Sequence, residues 1–258
     1  SRPFCGIEIE KMLPPSWRES VRPLSDSSGD GGGPDRPALR KPPLVKLPPT
    51  LSQVIWQMYA PCPLRVRLFA WARTRVFDFE RVLDQVPRQG RVIDVGCGAG
   101  VFANLLAREA PDRTVHGFDL NPAAIAAARL AAGAQPNLSF AVADVSAARA
   151  LAGEPAIITA IDVFHHLPAD QQPEMIATIH RHLPPGGLFF LKEMDTQPAW
   201  KRCANWWHDA LVARGHPRIH VRSRAEYAAL LRAAGFAVET IDLRQAYLAH
   251  VLFLCRKN

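Results

Sequence analysis

Between Arg91 and Arg108 the chain passes from the apolar run Val92-Ile93-Asp94-Val95 into Gly96-Cys97-Gly98-Ala99-Gly100, then into a helical stretch opening at Val101. A buried-strand run that turns through glycines into a helix is the first half of a strand–helix–strand unit. Its glycines let the backbone turn tightly and bring free N–H groups close to a negatively charged ligand. Few folds accommodate such an opening, and nearly all of them carry a parallel sheet.

The rest of the chain keeps the alternation going. Strand-type runs follow at 114–120, 138–143, 156–163, 188–192, 236–243 and 250–256. Helical runs lie between them at 122–132, 171–183 and 223–234, the first opened by the Asn121-Pro122 cap. Right-handed crossovers at these spacings imply an α/β fold with a doubly wound, mostly parallel seven-stranded sheet. Ahead of it, 51–60 and 64–86 read as a helical N-terminal lid over residues 51–90. A Trp-bearing stretch at about 196–222 interrupts the alternation after strand five and reads as an inserted cap within the 91–258 domain.

Residues 1–50 are of another kind. They hold 10 of the 23 prolines, eight Lys/Arg against six Asp/Glu, and no sustained periodicity. Such a segment cannot bury enough surface to offset ordering entropy, and it is expected to be a disordered or foreign tail. It also lacks a signal-peptide layout. No window reaches the ~20 apolar residues that cross a bilayer. The five cysteines form no CxxC pair, which favours a reducing, cytoplasmic setting over a disulfide framework. Neither HExxH nor a Cys/His ligand spacing occurs, so no metal is expected.

The formal charge of +7 is spread out, with 17 Lys/Arg against 15 Asp/Glu in residues 91–258. No dense basic block marks a nucleic-acid surface. Arg65, Arg67, Arg73 and Arg75 fall on different sides of a helix turning roughly 100° per residue. They are read as individually solvated or as binding an anionic substrate group. Peripheral membrane association is the weaker reading.

The glycine loop is GxGxG, not the dinucleotide pattern GxGxxG, whose third position falls on Val101; no GKS or GKT follows either. Strand two ends in Phe118-Asp119-Leu120, where a carboxylate can accept bonds from ribose hydroxyls. Strand three ends in Ala143-Asp144-Val145, and strand four in Asp162-Val163-Phe164-His165-His166-Leu167-Pro168. The turn Leu183-Pro184-Pro185-Gly186-Gly187 precedes strand five.

In that order, each at a strand end, these motifs resemble the class I S-adenosylmethionine-dependent methyltransferases, over about residues 88–195 and with the last two strands as the terminal hairpin. The resemblance implies S-adenosylmethionine as cofactor. It implies that Asp94 orients the glycine loop and the methionine ammonium, and that Gly96, Cys97 and Gly98 line the methionine portion. Asp119 would bind the ribose, with Leu120 against the adenine. Asp144 would take the adenine amino group, Val145 would pack on the ring, and Asp162 would sit at the sulfonium end.

Methyl transfer needs alignment of nucleophile, carbon and sulfur, and in some cases a base. A neutral imidazole suits that base, so His166 is the first candidate, with His165 and His208 beside it. Glu193, Asp195 and Asp209 are further acidic groups expected near the acceptor. The chain lacks the (Asn/Asp)-Pro-Pro-(Tyr/Phe) motif that methyltransferases of DNA or protein-glutamine amino groups share. A small-molecule acceptor is therefore expected, foremost a hydroxyl of an apolar, aromatic, lipid or polyketide-like compound. N- or C-methylation of a small molecule, an RNA or protein substrate, and a catalytically silent partner subunit remain alternatives. Either a monomer or a homodimer is compatible with these features.

Overall fold

A computed structural model describes residues 50–147, 155–195, 220–244 and 249–258. The expected tail at 1–50 (save its last residue), most of the cap at 196–222, and His208 and Asp209 lie outside them.

The N-terminal helices are α1 (Leu51–Met58), α2 (Leu64–Val76) and α3 (Phe79–Leu83). Thr50 and Gln53 close a capping box on α1. The helical run expected over 64–86 divides into two helices at Phe77-Asp78. Phe77 and Phe79 meet edge-on with ring centres 4.3 Å apart, and both contact Phe102. Turning two aromatic rings onto the same neighbour requires leaving the helix between them, and the Asp78 carboxylate restarts it by accepting from Arg81 N at 3.1 Å.

The sheet comprises β1 (Gly90–Val95), β2 (Arg113–Asp119), β3 (Leu138–Val142), β4 (Ile157–Ile161), β5 (Leu188–Met194), β6 (Phe236–Arg244) and β7 (Ala249–Lys257). The connecting helices are α4 (Val101–Glu109), α5 (Pro122–Ala132), α6 (Gln172–His182) and α7 (Arg224–Ala233). Strand order is β3-β2-β1-β4-β5-β7-β6. β1 to β5 run parallel, and β7 is antiparallel to both β5 and β6. The seven-stranded, doubly wound sheet is thus as the sequence implies.

Alternate strand residues feed two apolar layers. Val92 faces Tyr59, Phe79, Phe102 and Ile125, whereas Ile93 faces Phe164, Ile176, Phe189 and Tyr227. The fully buried Arg113 fixes the start of β2, donating to Pro87 O at 2.7 Å and to Glu109 Oε2 at 2.7 Å. The strand order reverses between β1 and β4. In open parallel sheets the crevice beyond the strand ends at such a reversal is where ligands bind. Among the described residues no helix is long and apolar enough to cross a membrane.

Candidate active site

That crevice holds a cavity of about 460 Å³. Asp94, Gly96, Cys97 and Gly98 line it from the end of β1, Asp119 and Leu120 from β2, Asp144 and Val145 from β3, and Asp162 and His166 from β4. Every residue named above for the cofactor therefore borders a single space. α2 adds Phe69 and Arg73 to the wall, and α3 and α4 add Phe79 and Phe102.

The glycine loop owes its path to backbone that only glycine adopts freely. Gly98 and Gly100 have φ of 55° and 78°. A Cβ on Gly100 would lie 2.8 Å from both Ala128 and the Phe140 ring, so α4 could not start there. Around Gly98 there is room: beyond its chain neighbours, no atom lies within 4 Å of a Cβ placed there. Asp119 steadies the loop by accepting from Gly98 N at 2.8 Å, and its other oxygen accepts from Asn121 N at 2.8 Å. Tyr59 donates to Ala99 O at 2.6 Å and so ties α1 to the loop. Burial pushes the Cys97 thiol up, with Asp94 and Asp119 adding to it, so this is a small wall residue and no thiolate nucleophile.

Two carboxylates in the cavity have opposite electrostatics. Asp94 is buried, and burial pushes its pKa up to about 7 against the opposing pull of a Thr159 hydrogen bond and of Arg73. Thr159 Oγ1 donates to it at 2.6 Å. For Asp162, burial also works against ionisation, but Lys192 and then Arg73 overcome it and hold the carboxyl far below its usual range. Arg73 Nη2 donates to Asp162 Oδ2 at 2.9 Å, and Lys192 Nζ donates to Oδ1. Asp162 is the one non-glycine residue with positive φ (59°) among those described. Expected to continue to Val163, β4 ends at Ile161 because the chain flips here. These two cations, with the bond from Asp162 N to Lys192 O at 3.0 Å, hold the flipped residue in place.

The histidine doublet keeps its rings together, with centres 4.1 Å apart, but divides between core and cavity. The His166 ring borders the cavity. His165 turns into the core, 3 % exposed, with Nδ1 2.7 Å from Glu193 Oε2. Glu193 is fully buried, and its Oε1 accepts from Val163 N at 3.0 Å and Phe164 N at 2.6 Å. It therefore pins the loop that carries His166, without itself reaching the cavity. Asp195 lies in a separate groove, paired with Arg224 at 3.3 Å. His208 lies outside the described residues, among which no three His, Cys, Asp or Glu side chains gather as metal ligands.

Lys192 is not among the expected site residues, and Arg73 is expected only as one of four arginines read as solvated or as binding an anionic substrate group. Lys192 left a signal: a lysine inside the apolar strand Leu188–Met194 needs a buried partner. Arg73 was one of four arginines in α2, and nothing local singled it out.

A family model described as a methyltransferase domain matches residues 68–241. The trans-aconitate 2-methyltransferase of Methylobacterium nodulans is 30% identical over 193 residues, covering 71% of this chain and 70% of its own. A ubiquinone biosynthesis O-methyltransferase of Pseudomonas aeruginosa is 28% identical over 111 residues, and the chain spans only 46% of that relative. Among solved structures, the methyltransferase SibL in its apo form superposes with a TM-score of 0.60 at 22% identity, over 78% of this chain and 61% of that one; this likeness concerns the fold alone. With the glycine loop, the strand order and the domain match all in agreement, the chain belongs to the class I S-adenosylmethionine-dependent methyltransferases.

Proposed function

We propose that the protein transfers the methyl group of S-adenosylmethionine to an oxygen of a small-molecule acceptor. The observation that carries this reading is the single cavity bordered by the glycine loop, Asp119 and Asp144 on one side and by Asp162, Arg73 and His166 on the other. Its volume is within the range of small-ligand sites. The open space at Gly98 and the loop's backbone N–H groups fit the methionine end of the donor. Asp119 keeps lone pairs for ribose hydroxyls beyond the bonds it makes to Gly98 and Asn121. Asp144 and Val145 take the adenine edge and face, Leu120 covers its other side, and Asp94 faces the ammonium.

The donor supplies a methyl group on a positively charged sulfur, which leaves in an in-line displacement. The chain's part is to align the acceptor oxygen, exclude water and, for a hydroxyl, accept its proton at His166. A second reading, a carboxylate acceptor, is favoured by Arg73. Its guanidinium reaches the cavity, and only one of its nitrogens bonds to Asp162. The named substrates of the relatives are compatible with either oxygen, since trans-aconitate offers carboxylates.

The test is to incubate the protein with methyl-labelled S-adenosylmethionine and whole-cell extract, to separate small-molecule, protein and nucleic-acid fractions, and to identify labelled products by mass spectrometry. Label in an ether or ester product is expected. Label appearing only in protein or nucleic-acid fractions would overturn the small-molecule reading. An N- or C-methyl product would overturn the choice of oxygen.

A further inference from the structure

Helix α2 turns two unlike faces. Phe69 and Arg73 point into the cavity wall. On the opposite side Leu64, Leu68, Trp71 and Arg75 follow one another at spacings of four, three and four residues, which places them on one stripe. Leu64 is 62% exposed and Leu68 46%. With Trp56 of α1, Leu68 and Trp71 line a shallow open groove of about 430 Å³.

Two of the arginines that look scattered on a helical wheel are held against indole rings by stacking. The Arg67 guanidinium lies 3.9 Å from the Trp56 ring centre and donates to Trp56 O at 2.8 Å. Arg75 lies 5.1 Å over Trp71. From Thr50 to Phe77 there are four arginines and no acidic residue. Arg73 is committed to Asp162, which leaves Arg67 and Arg75 stacked on the indoles and Arg65 exposed next to Leu64. An acid-free surface that alternates exposed leucines, indole rings and guanidinium groups has the chemistry of a water–lipid boundary. Leucines enter the acyl region, tryptophans sit at headgroup level, and arginines reach phosphates while covering the indoles. The groove itself carries no charge: its polar lining is Ser52, Gln53 and Gln57.

We propose that the α1–α2 face docks on an anionic lipid surface. Because the other side of α2 walls the cavity, docking brings the site close to the membrane plane.

The test is co-sedimentation of the full chain with vesicles of phosphatidylcholine alone or mixed with phosphatidylglycerol, at low and at molar salt. Binding is expected to the mixed vesicles only, and to be lost at high salt. Arg65→Gln with Arg75→Gln should lower the partition coefficient about thirtyfold, from ~1 kcal/mol per arginine near the surface. Leu64→Glu with Leu68→Glu should abolish binding. Both double variants should keep wild-type affinity for S-adenosylhomocysteine, which shows that they are folded. Equal binding to neutral vesicles, or unchanged binding by the variants, would overturn the proposal. So would an absence of vesicle binding combined with self-association that Leu64→Glu/Leu68→Glu disperses, because the face would then meet a second copy of the chain.

Discussion

Arg73 reaches from α2 to the carboxylate of Asp162, 2.9 Å away, and this ion pair joins the N-terminal helices to the flipped end of β4. Arg73→Gln leaves Asp162 with Lys192 as its remaining cation and should cost about 1.5–3 kcal/mol, the range for a hydrogen bond to a charged group. The pH dependence follows from the direction of the shift. Asp162 is held below its ordinary range in the folded chain, so its contribution is present above the unfolded value of about 3.9 and is lost as pH falls below that. Thermal melts below about pH 4 should therefore show wild-type stability falling more steeply than that of Arg73→Gln, whose Asp162 lies closer to the unfolded value.

Asp94 has the opposite sign. Raised to about 7 by burial, it favours folding below the unfolded value, and that contribution is lost as pH rises through about 7. A cationic ammonium placed beside it would stabilise the carboxylate and expel the proton. S-adenosylhomocysteine affinity should therefore rise with pH up to about 7 and then level off. Calorimetry in two buffers of different ionisation enthalpy should detect proton release near pH 6. Asp94→Asn should abolish that release. Binding without proton release in the wild type would put the ammonium elsewhere.

Asp119→Ala should weaken S-adenosylhomocysteine binding by about 1.5–3 kcal/mol, the range for a hydrogen bond to a charged group. The same carboxylate also holds Gly98 N, so the loss combines a ribose contact with a looser loop. Asp119→Asn separates the two, because its amide oxygen can still accept from Gly98 while the charge is gone. Unchanged affinity in both variants would mean that the ribose lies elsewhere.

Features set by local chemistry were legible in the sequence. The glycine loop, the Asn121-Pro122 cap and the strand-end carboxylates all follow from short-range rules, and the structure places those carboxylates around one cavity. What was illegible depends on contacts far along the chain. The helix break at Phe77-Asp78 is decided by Phe102, and the flip at Asp162 by Lys192 and Arg73. Arg73 looks like its three neighbours in α2 until β4 is beside it. The His165-His166 doublet shows the limit most sharply. The two rings stay in contact, their centres 4.1 Å apart, and the buried Glu193 pairs with the inner one, a partner 28 residues along the chain that no local rule announces.

Glu193→Gln tests that arrangement. Glu193 accepts from Val163 N and Phe164 N and pairs with His165, all in the core. Losing its charge should cost about 2–3 kcal/mol, or about 5–10 °C in Tm. A positioning role predicts more than instability. Methyl transfer measured well below Tm should show a lower kcat with unchanged S-adenosylhomocysteine affinity, because His166 moves while the glycine loop does not. A lower Tm with unchanged kcat would leave Glu193 as structural only.

His166 and Arg73 separate the two acceptor chemistries. A hydroxyl nucleophile must lose its proton, whereas a carboxylate is already ionised at neutral pH. If a hydroxyl is methylated with His166 as base, His166→Ala should slow transfer by about 10²–10⁴-fold and leave cofactor affinity intact. The wild-type rate should then rise with pH through the histidine's own titration, and that dependence should vanish in the variant. If a carboxylate is methylated, His166→Ala should leave the pH profile flat and mainly raise KM, since only uniform binding is lost. Arg73→Gln should then raise KM for the carboxylate acceptor, which its guanidinium would otherwise hold. A pH-independent wild-type rate on a hydroxyl acceptor would remove histidine base catalysis altogether and leave alignment within the cavity as the chain's main contribution.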